Sequence, residues 1–285
     1  MRAARYGAST MIRVYRDAES CTMEKDGSFV DAPAFDFDEL FTSSDPQGYA
    51  EQNFAAGEKA QQPEGPLLAP LGSQEIWAAG VTYFQSRTAR MEESESSGGD
   101  RFYDLVYEAE RPELFFKATA ARARGHLAPV GIRSDSTWDV PEPELTLALN
   151  SNGRVFGYTI GNDMSSRSIE GENPLYLPQA KVYRASCALG PCLVVGADAI
   201  DSSSKIEITI ERAEQEVFAG EIDVAQIKRG FEELSGFLFQ DNEFPVGALL
   251  MTGTGVVPDS DFTLASGDVI RISIDGIGTL ENPVA

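Results

Sequence analysis

Short apolar runs of strand length, separated by turn residues, dominate this 285-residue chain from Leu114 onward. Lys205–Glu211 places an isoleucine at every second position, and Val269–Ile274 repeats the pattern before the turn Asp275-Gly276. A period of two is typical of a half-buried β-strand. Because strands predominate and helical patterns are few, we expect a β-rich α+β fold, a mixed β-roll or barrel-like structure, and not a doubly wound sheet.

A proline- and glycine-rich stretch at Gln62–Pro66 interrupts these patterns. Such residues break regular structure, so we place a small N-terminal domain at residues 1–70 and a catalytic domain at residues 71–285. The individual elements expected are strands at Met11–Tyr15 and Ile76–Tyr83, and helices at Tyr49–Lys59, Phe84–Glu95, Arg101–Glu110 and Val224–Leu238, the last capped by Asp223.

Three carboxylates flank a predicted β-hairpin. Glu142 and Glu144 lie just before the apolar run Leu145–Leu149, and Asp163 follows the next apolar run. The intervening stretch Asn150–Gly153 is a hairpin turn signal. A hairpin at this place carries both ends of the segment, and all three carboxylates, to one edge of a sheet.

The expected register brings these carboxylates together. If the turn centres on residues 151 and 152, Glu142 lies opposite residue 161 and close to Asp163. Glu142 and Glu144 are two apart, so on an extended chain both point to one face. Such crowding raises carboxylate pKa values unless a cation is bound, and oxygen ligands suit Mg²⁺, Mn²⁺ or Ca²⁺. From spacing alone, the alternative is an acidic edge on an acidic protein.

The net charge is the outlier of the composition. Aspartate and glutamate total 45 against 23 lysine and arginine residues, which gives −22 at pH 7. A surface this negative repels phosphate backbones and anionic lipid heads, so nucleic acid and membrane partners are not expected. The excess acid either solvates the protein in a high-salt cytoplasm, as in halophilic proteins, or forms a face for a partner; we favour the first.

Cysteine use and the N-terminus favour a cytoplasmic protein. Cys21, Cys187 and Cys192 are an odd number without a CxxC motif, so a disulfide framework is not expected. No apolar run approaches the roughly 20 residues of a membrane span. No apolar stretch follows Arg2 and Arg5 in the way that a signal peptide requires.

Acid–base chemistry has to come from carboxylates and lysines, because His126 is the only histidine. Lys117 and Lys181 each lie in an apolar, proline-bounded stretch, where burial makes a lysine a usable base or a carboxylate anchor. From composition alone, a surface lysine is the favoured interpretation of each. The turn Met251–Gly255 offers hydroxyls and backbone amides for an anion.

Seven elements, in the same order along the chain, together resemble the fumarylacetoacetate hydrolase family. They are Gly80–Tyr83, Leu114–Lys117, Glu142–Glu144, Phe156–Asp163, Leu189–Pro191, Thr252–Gly255 and Gly276–Val284. The resemblance implies a mixed β-roll, a homo-oligomer (homodimer or homotetramer) and a small 2-oxo acid substrate. It also implies that Mg²⁺ or a similar ion is bound by Glu142, Glu144 and Asp163.

One departure from the family pattern bears on the reaction. Hydrolases of the family carry a histidine, with a glutamate just after it, in the segment that follows the Gly-x-x-Tyr element. Here Ser86 stands at the histidine position and Ala89 where the glutamate would be. Serine is not a base near neutral pH unaided, so hydrolysis of a carbon–carbon bond by the usual route is not expected.

One branch of the family shares these departures. Ser86-Arg87, Pro112–Leu114 and Asn173–Lys181 resemble the 2-keto-3-deoxy-pentonate dehydratases of oxidative pentose degradation. The resemblance implies a hydro-lyase that converts 2-dehydro-3-deoxy-D-pentonate (2-keto-3-deoxy-xylonate or -arabinonate) to 2,5-dioxopentanoate. The alternatives are a metal-dependent hydrolase or decarboxylase of a 2,4-dioxo acid or oxaloacetate, and a non-enzymatic 2-oxo acid binding protein.

The resemblance also implies roles for individual residues. The cation is expected to stabilise the enolate that forms when C3 loses a proton. Lys181 is the expected base and Glu113 the acid that protonates the departing C4 hydroxyl, although the two roles can be exchanged. A Schiff base through Lys181 is a rival route. The expected substrate-binding residues are Ser86, Arg87, Lys117 and Thr254.

Overall fold

The computed structural model describes residues 11–83, 105–196, 200 and 203–285. The strands are β1 (Ile12–Arg16), β2 (Cys21–Lys25), β3 (Ser28–Asp31), β4 (Glu58–Lys59), β5 (Glu75–Gly80), β6 (Glu113–Thr119), β7 (Ala123–Arg124), β8 (Asp139–Val140), β9 (Pro143–Leu149), β10 (Val155–Asp163), β11 (Ser165–Ser166), β12 (Cys187–Val195), β13 (Lys205–Arg212), β14 (Gln215–Asp223), β15 (Ala248–Met251), β16 (Val269–Ile274) and β17 (Gly278–Pro283). The α-helices are α1 (Phe37–Thr42), α2 (Pro46–Ala56), α3 (Arg167–Glu172), α4 (Leu177–Lys181) and α5 (Phe231–Phe239).

Eleven strands form one large mixed sheet in the order β4-β3-β2-β1-β12-β10-β9-β15-β5-β6, with β7 paired to β12. A four-stranded sheet has the order β14-β13-β16-β17, and β11 pairs with β8. The predicted β-rich α+β class is therefore confirmed. The barrel-like alternative is corrected, because the strands of the described residues form open sheets.

The central strands of the large sheet are buried on both faces. Leu145 and Leu147 of β9 belong to the core shared with the four-stranded sheet, which includes Ile206 and Ile272. Ala148, on the other face of β9, belongs to a second core with the N-terminal strands and α1. Strands covered on both faces are apolar at nearly every position, which is why β9 and β10 were predictable as strands from the sequence.

The N-terminal segment adds an edge to the large sheet. β1 pairs antiparallel with β12, and β2, β3 and β4 follow in order. The strand expected at Met11–Tyr15 and the helix expected at Tyr49–Lys59 are found as β1 and α2, each displaced by a few residues. The division into a domain of residues 1–70 and one of residues 71–285 stays a prediction.

The helices are short, and one of them differs from expectation. The helix predicted at Val224–Leu238 is wrong over its first half: a 3-10 helix covers Val224–Gln226, and α5 begins only after Gly230. The amide of Lys228 donates to Thr82 O (2.9 Å), so a tertiary contact replaces the helical hydrogen bond. Among the described residues, no helix combines the length and apolar character needed to cross a bilayer.

The structure describes one of two further predicted helices only in part and the other not at all. The helix expected at Phe84–Glu95 lies outside the described residues. Of the helix expected at Arg101–Glu110, residues 105–110 are described, and residues 105–108 are helical.

Candidate metal centre and active site

The large sheet brings the functional segments to one edge. β5 and β15 run parallel and both end there. β10 ends there as well, and its antiparallel neighbours β9 and β12 begin there. β6 begins at the same edge, because Glu113 pairs with Gly80 at the end of β5. Segments far apart in the sequence therefore meet at one place.

Glu142, Glu144 and Asp163 meet at this edge, as the hairpin predicts. The register differs from the expected one by two residues: Glu144 pairs with Gly161, and the amide of Asp163 donates to Glu142 O (3.0 Å). The hairpin loop is longer than the assumed turn, and β10 contains a register shift near its start. The effect is to bring Asp163 closer to Glu142 than the sequence indicated.

The three carboxylates are buried and crowded. Glu142, Glu144 and Asp163 are 2%, 1% and 0% exposed. Each offers one oxygen, and these oxygens lie within 4.8 Å of one another. Burial raises the pKa of Glu144 well above its ordinary value, and the negative charges of Asp163 and Glu142 add to that rise. The positive charge of Lys181 and the hydrogen bond from the Gly253 amide lower the pKa of Glu144, but by less than burial and the two carboxylates raise it.

Three buried cations surround these carboxylates. Lys181 Nζ lies 2.6 Å from Glu142 Oε2 and 3.4 Å from Asp163 Oδ2. Lys117 Nζ forms an ion pair with Asp163, and Arg167 Nη2 donates to Glu142 Oε1 at 2.9 Å. Lys117 and Lys181 are 0% exposed, so the interpretation of both as surface lysines is wrong. We call these three acids and three bases the charge cluster.

The lysines also determine which acid stays ionised. Burial alone would raise the pKa of Asp163, but the ammonium groups of Lys117 and Lys181 outweigh that effect and hold the pKa below its ordinary value. Asp163 is thus held as a carboxylate while Glu144 favours a proton. The two acids differ because the lysines lie on the Asp163 side of the cluster.

Backbone contacts fix the position of both lysines. The pairing of β6 with β5 skips one residue between Phe116 and Ala118, so Lys117 is the extra residue of a β-bulge. Lys117 Nζ also donates to Lys181 O (2.6 Å), and Ser186 Oγ donates to the same carbonyl at 2.9 Å. Lys181 is the last residue of α4.

A tight turn holds Glu144 from the other side. The amide of Gly253 donates to Glu144 Oε2 at 2.6 Å. Gly253 has a φ of +93°, and a Cβ there would collide with Thr82 Oγ1, so glycine is required. Thr82 Oγ1 in turn donates to Thr252 O (2.7 Å). Thr254 follows in the same turn and is buried, with its hydroxyl donating to Val256 O at 3.1 Å.

Glu113 borders the same region. It begins β6 opposite Gly80, where a side-chain Cβ would overlap the Glu113 carboxylate. Phe115 lies two residues further along the same strand face. Lys181 Nζ lies 5.7 Å from the centroid of the Phe115 ring. Glu113 and the Phe115 ring near Lys181 therefore lie on one face of β6.

The remaining expectations have mixed outcomes. Ser86 and Arg87 lie outside the described residues. His126 is a half-buried loop residue whose Nδ1 accepts from the Glu281 amide (3.1 Å), which gives it a structural contact. Sequence reasoning missed Arg167, four residues after Asp163. The charge balance gave no signal for it, because a divalent cation was already expected to balance the three carboxylates.

The donor set fits a hard divalent cation. All three candidate ligands are carboxylates, and Mg²⁺, Mn²⁺ and Ca²⁺ prefer oxygen ligands. The raised pKa of Glu144 indicates an acid that a bound cation would return to its ionised form. Glu142, Glu144 and Asp163 are the residues that would hold it.

Comparisons with known proteins agree with this fold. The sequence model of the fumarylacetoacetate (FAA) hydrolase C-terminal family matches residues 104–285. The chain belongs to the fumarylacetoacetate hydrolase family. A fumarylacetoacetate hydrolase from Exiguobacterium antarcticum, 21% identical, shares the fold with a TM-score of 0.70 over 96% of this chain and 98% of that one.

More similar relatives are dehydratases. A probable 2-keto-3-deoxyxylonate dehydratase of Haloferax volcanii is 49% identical over 75% of this chain and 73% of the relative. A 2-dehydro-3-deoxy-D-arabinonate dehydratase of Saccharolobus solfataricus is 43% identical over 76% of this chain and 74% of the relative. A solved 2-keto-3-deoxy-D-arabinonate dehydratase complexed with magnesium and 2,5-dioxopentanoate is 32% identical, with a TM-score of 0.81 over 96% of this chain and 98% of that chain.

Proposed function

We propose that this protein is a magnesium-dependent dehydratase of 2-dehydro-3-deoxy-D-pentonate, a hydro-lyase that forms 2,5-dioxopentanoate and water. The observation that carries the proposal is the charge cluster, in which a fully buried Lys181 lies 2.6 Å from a carboxylate of an all-oxygen cation site. The 49% and 43% identity to two dehydratases of such substrates supports the choice of reaction.

The metal site serves the 2-oxo acid end of the substrate. Mg²⁺, held by Glu142, Glu144 and Asp163, supplies positive charge that stabilises the negative charge developing on the 2-oxo oxygen as C3 is deprotonated. Arg167 Nη2 donates a 2.9 Å hydrogen bond to Glu142 Oε1. The Gly253 amide donates to Glu144 Oε2 at 2.6 Å. Such contacts fix the orientation of the carboxylates.

Lys181 and Glu113 carry the proton transfers in the proposed mechanism. In its neutral form Lys181 takes the C3 proton, and protonated Glu113 gives a proton to the C4 hydroxyl as the C4–O bond breaks and water departs. The unsaturated product then tautomerises to 2,5-dioxopentanoate. The arrangement supports this assignment because Lys181 Nζ already lies between the carboxylates and the Phe115 ring. The exchanged roles, with Glu113 as base, use the same two residues.

Further residues are proposed to position the substrate. Thr254 and the amides of its turn would bind the substrate carboxylate. Lys117 would contact a substrate oxygen while keeping its hydrogen bonds to Lys181 O (2.6 Å) and Met164 O (3.0 Å). Ser86 and Arg87 are proposed to bind the sugar hydroxyls.

The cellular setting is also part of the proposal. The cysteines of the described residues, Cys21, Cys187 and Cys192, are free and buried, which suits a reducing cytoplasm. The net charge of −22 is interpreted as solvation in high salt. We propose a homodimer or homotetramer, with no nucleic acid or membrane partner.

The test is a metal and substrate assay. The protein is treated with EDTA, supplied with Mg²⁺ or Mn²⁺, and offered 2-dehydro-3-deoxy-D-pentonate; 2,5-dioxopentanoate is followed by its NAD(P)-linked oxidation. We expect metal-dependent product that is lost in Glu144→Gln and retained in Glu207→Gln, an exposed acid of β13. No product with an active coupling enzyme would contradict the proposal, and pyruvate release from a 2,4-dioxo acid would replace it with a hydrolase.

A further inference from the structure

A cavity of about 300 Å³ opens beside the segment that follows Lys181 in the chain. Its lining residues are Ala121, Arg122, Arg124, Val182, Tyr183, Arg184 and Ala185. This lining contains three arginines and no acidic residue, although aspartate and glutamate total 45 in the chain. The cavity is thus a basic site on a strongly acidic protein, and we call it the arginine cavity.

The three arginines lack partners within the part of the chain that the structure describes. The side chains of Arg122, Arg124 and Arg184 make no hydrogen bond, ion pair or ring contact there. Other arginines do pair with carboxylates, among them Arg133, Arg167, Arg212, Arg229 and Arg271. With so many acids available, a group of unpaired arginines around one cavity leaves a place for an external anion.

We propose that the arginine cavity binds a small anion with at least two negative charges, carried by phosphate or carboxylate groups. Guanidinium groups bind the oxygens of both through pairs of parallel N–H bonds. A cavity of about 300 Å³ is at the lower end of small-molecule sites, so the ligand is a small metabolite. The lining offers no carboxylate for a metal, which separates this site from the charge cluster.

The backbone connects the arginine cavity to the proposed catalytic lysine. The amide of Tyr183 donates to Ser186 Oγ at 3.3 Å, and Ser186 Oγ donates to Lys181 O at 2.9 Å. An anion that draws Arg184 toward the cavity acts on the same short segment. Binding therefore also gives the anion a route to regulate Lys181; this regulatory part rests on the proposed function, whereas binding itself does not.

The experiment measures thermal unfolding of EDTA-treated protein with inorganic phosphate or malonate, compared with sodium chloride at equal ionic strength. Three proteins are compared: wild type, the double variant Arg122→Met with Arg184→Met, and Arg154→Met. Arg154 is a matched control, because it is also exposed and without a side-chain partner in the described residues but lies in the β9–β10 loop. We expect a saturable rise of the unfolding midpoint in wild type and Arg154→Met, and its loss in the double variant.

Two results would overturn the proposal. An equal rise in all three proteins would place the anion elsewhere, at the active-site lysines or as a general salt effect. Dissociation of a wild-type oligomer in the double variant, seen by sedimentation, would mean that acidic residues of a second copy occupy the cavity. Without added anion the double variant should unfold at the wild-type midpoint, because no described contact is removed. The readout does not depend on dehydratase activity, so the two proposals fail separately.

Discussion

The charge cluster and the four-stranded sheet both hold acids and bases in close contact, but only in the first are both partners of a pair buried. Lys181 and Glu142 are 2.6 Å apart, with side chains 0% and 3% exposed. Lys205 and Glu221 of the four-stranded sheet are 2.7 Å apart, with side chains 44% and 58% exposed. Similar distances therefore occur in very different surroundings.

This difference in burial determines how much each ion pair matters for stability. Water screens an exposed pair, which then contributes little to stability. A buried pair has lost its hydration, so removing one partner leaves the other charge without compensation. We expect substitutions in the charge cluster to change both activity and folding, and substitutions on the four-stranded sheet to leave activity unchanged.

Lys181→Met should give the largest effect. Loss of the proposed base lowers kcat by at least about 100-fold, in the range usual for removal of a general acid or base. Lys205→Met on the four-stranded sheet is the matched control and should keep wild-type kcat. Steady-state kinetics at saturating Mg²⁺ provide the measurement, and a kcat within a few-fold of wild type would remove Lys181 from the mechanism. Borohydride treatment with substrate present should give no covalent adduct; an adduct on Lys181 would establish the Schiff base route.

Arg167→Met should have the next largest effect. Without the 2.9 Å hydrogen bond from Arg167 Nη2, Glu142 keeps its contact with Lys181 but is oriented less firmly, so the Mg²⁺ concentration for half-maximal activity should rise about 10- to 100-fold. Arg167→Lys should recover part of the loss. Arg271→Met, on the four-stranded sheet, should leave the Mg²⁺ dependence unchanged. A normal Mg²⁺ dependence in Arg167→Met would show that Arg167 has no part in orienting Glu142.

Glu144→Gln should stabilise the metal-free protein as the pH rises. The pKa of Glu144 is raised in the folded state, chiefly by burial, so the folded wild type loses stability as pH rises from the ordinary value of 4.5 toward the raised value. Glutamine lacks this titration. In EDTA, the unfolding free energy of the variant relative to wild type should therefore increase as pH rises above 4.5, measured by urea unfolding. An unchanged difference across that range would contradict the raised pKa.

Asp268→Asn tests the most buried acid of the four-stranded sheet region. Asp268 accepts from both Arg212 Nε (2.7 Å) and the Ala265 amide (2.9 Å), and these contacts outweigh burial and hold its pKa below 3.8. The variant should lose about 1 to 3 kcal/mol of unfolding free energy at neutral pH, and the difference should shrink as pH falls below that value. Glu221→Gln should unfold like wild type, and both should keep full activity.

Local sequence was sufficient for part of the site. The Glu142, Glu144 and Asp163 group follows from one hairpin, because its two strands are neighbours in the chain and their separation fixes which ends meet. The register was still wrong by two residues, since loop length and a bulge depend on packing that the sequence does not display.

Long-range packing determined the rest. Whether Lys117 and Lys181 are buried depends on contacts between β6, α4 and β10, which are distant in sequence, so composition alone favoured the surface. The break before Gly230 has the same origin, since the Lys228 amide donates to Thr82 O (2.9 Å), more than a hundred residues away. Hydrophobic periodicity indicates which face of an element is buried, but not which distant residue interrupts that element.

The internal balance of three cations against three carboxylates also bears on how the ion can be exchanged. Many small metal sites hold their domain together, so that chelation denatures it. Here Lys117, Lys181 and Arg167 serve as resident counter-ions that remain after the metal has gone. One preparation should therefore survive repeated cycles of metal removal and replacement, so that competing ions can be ranked against each other on the same sample.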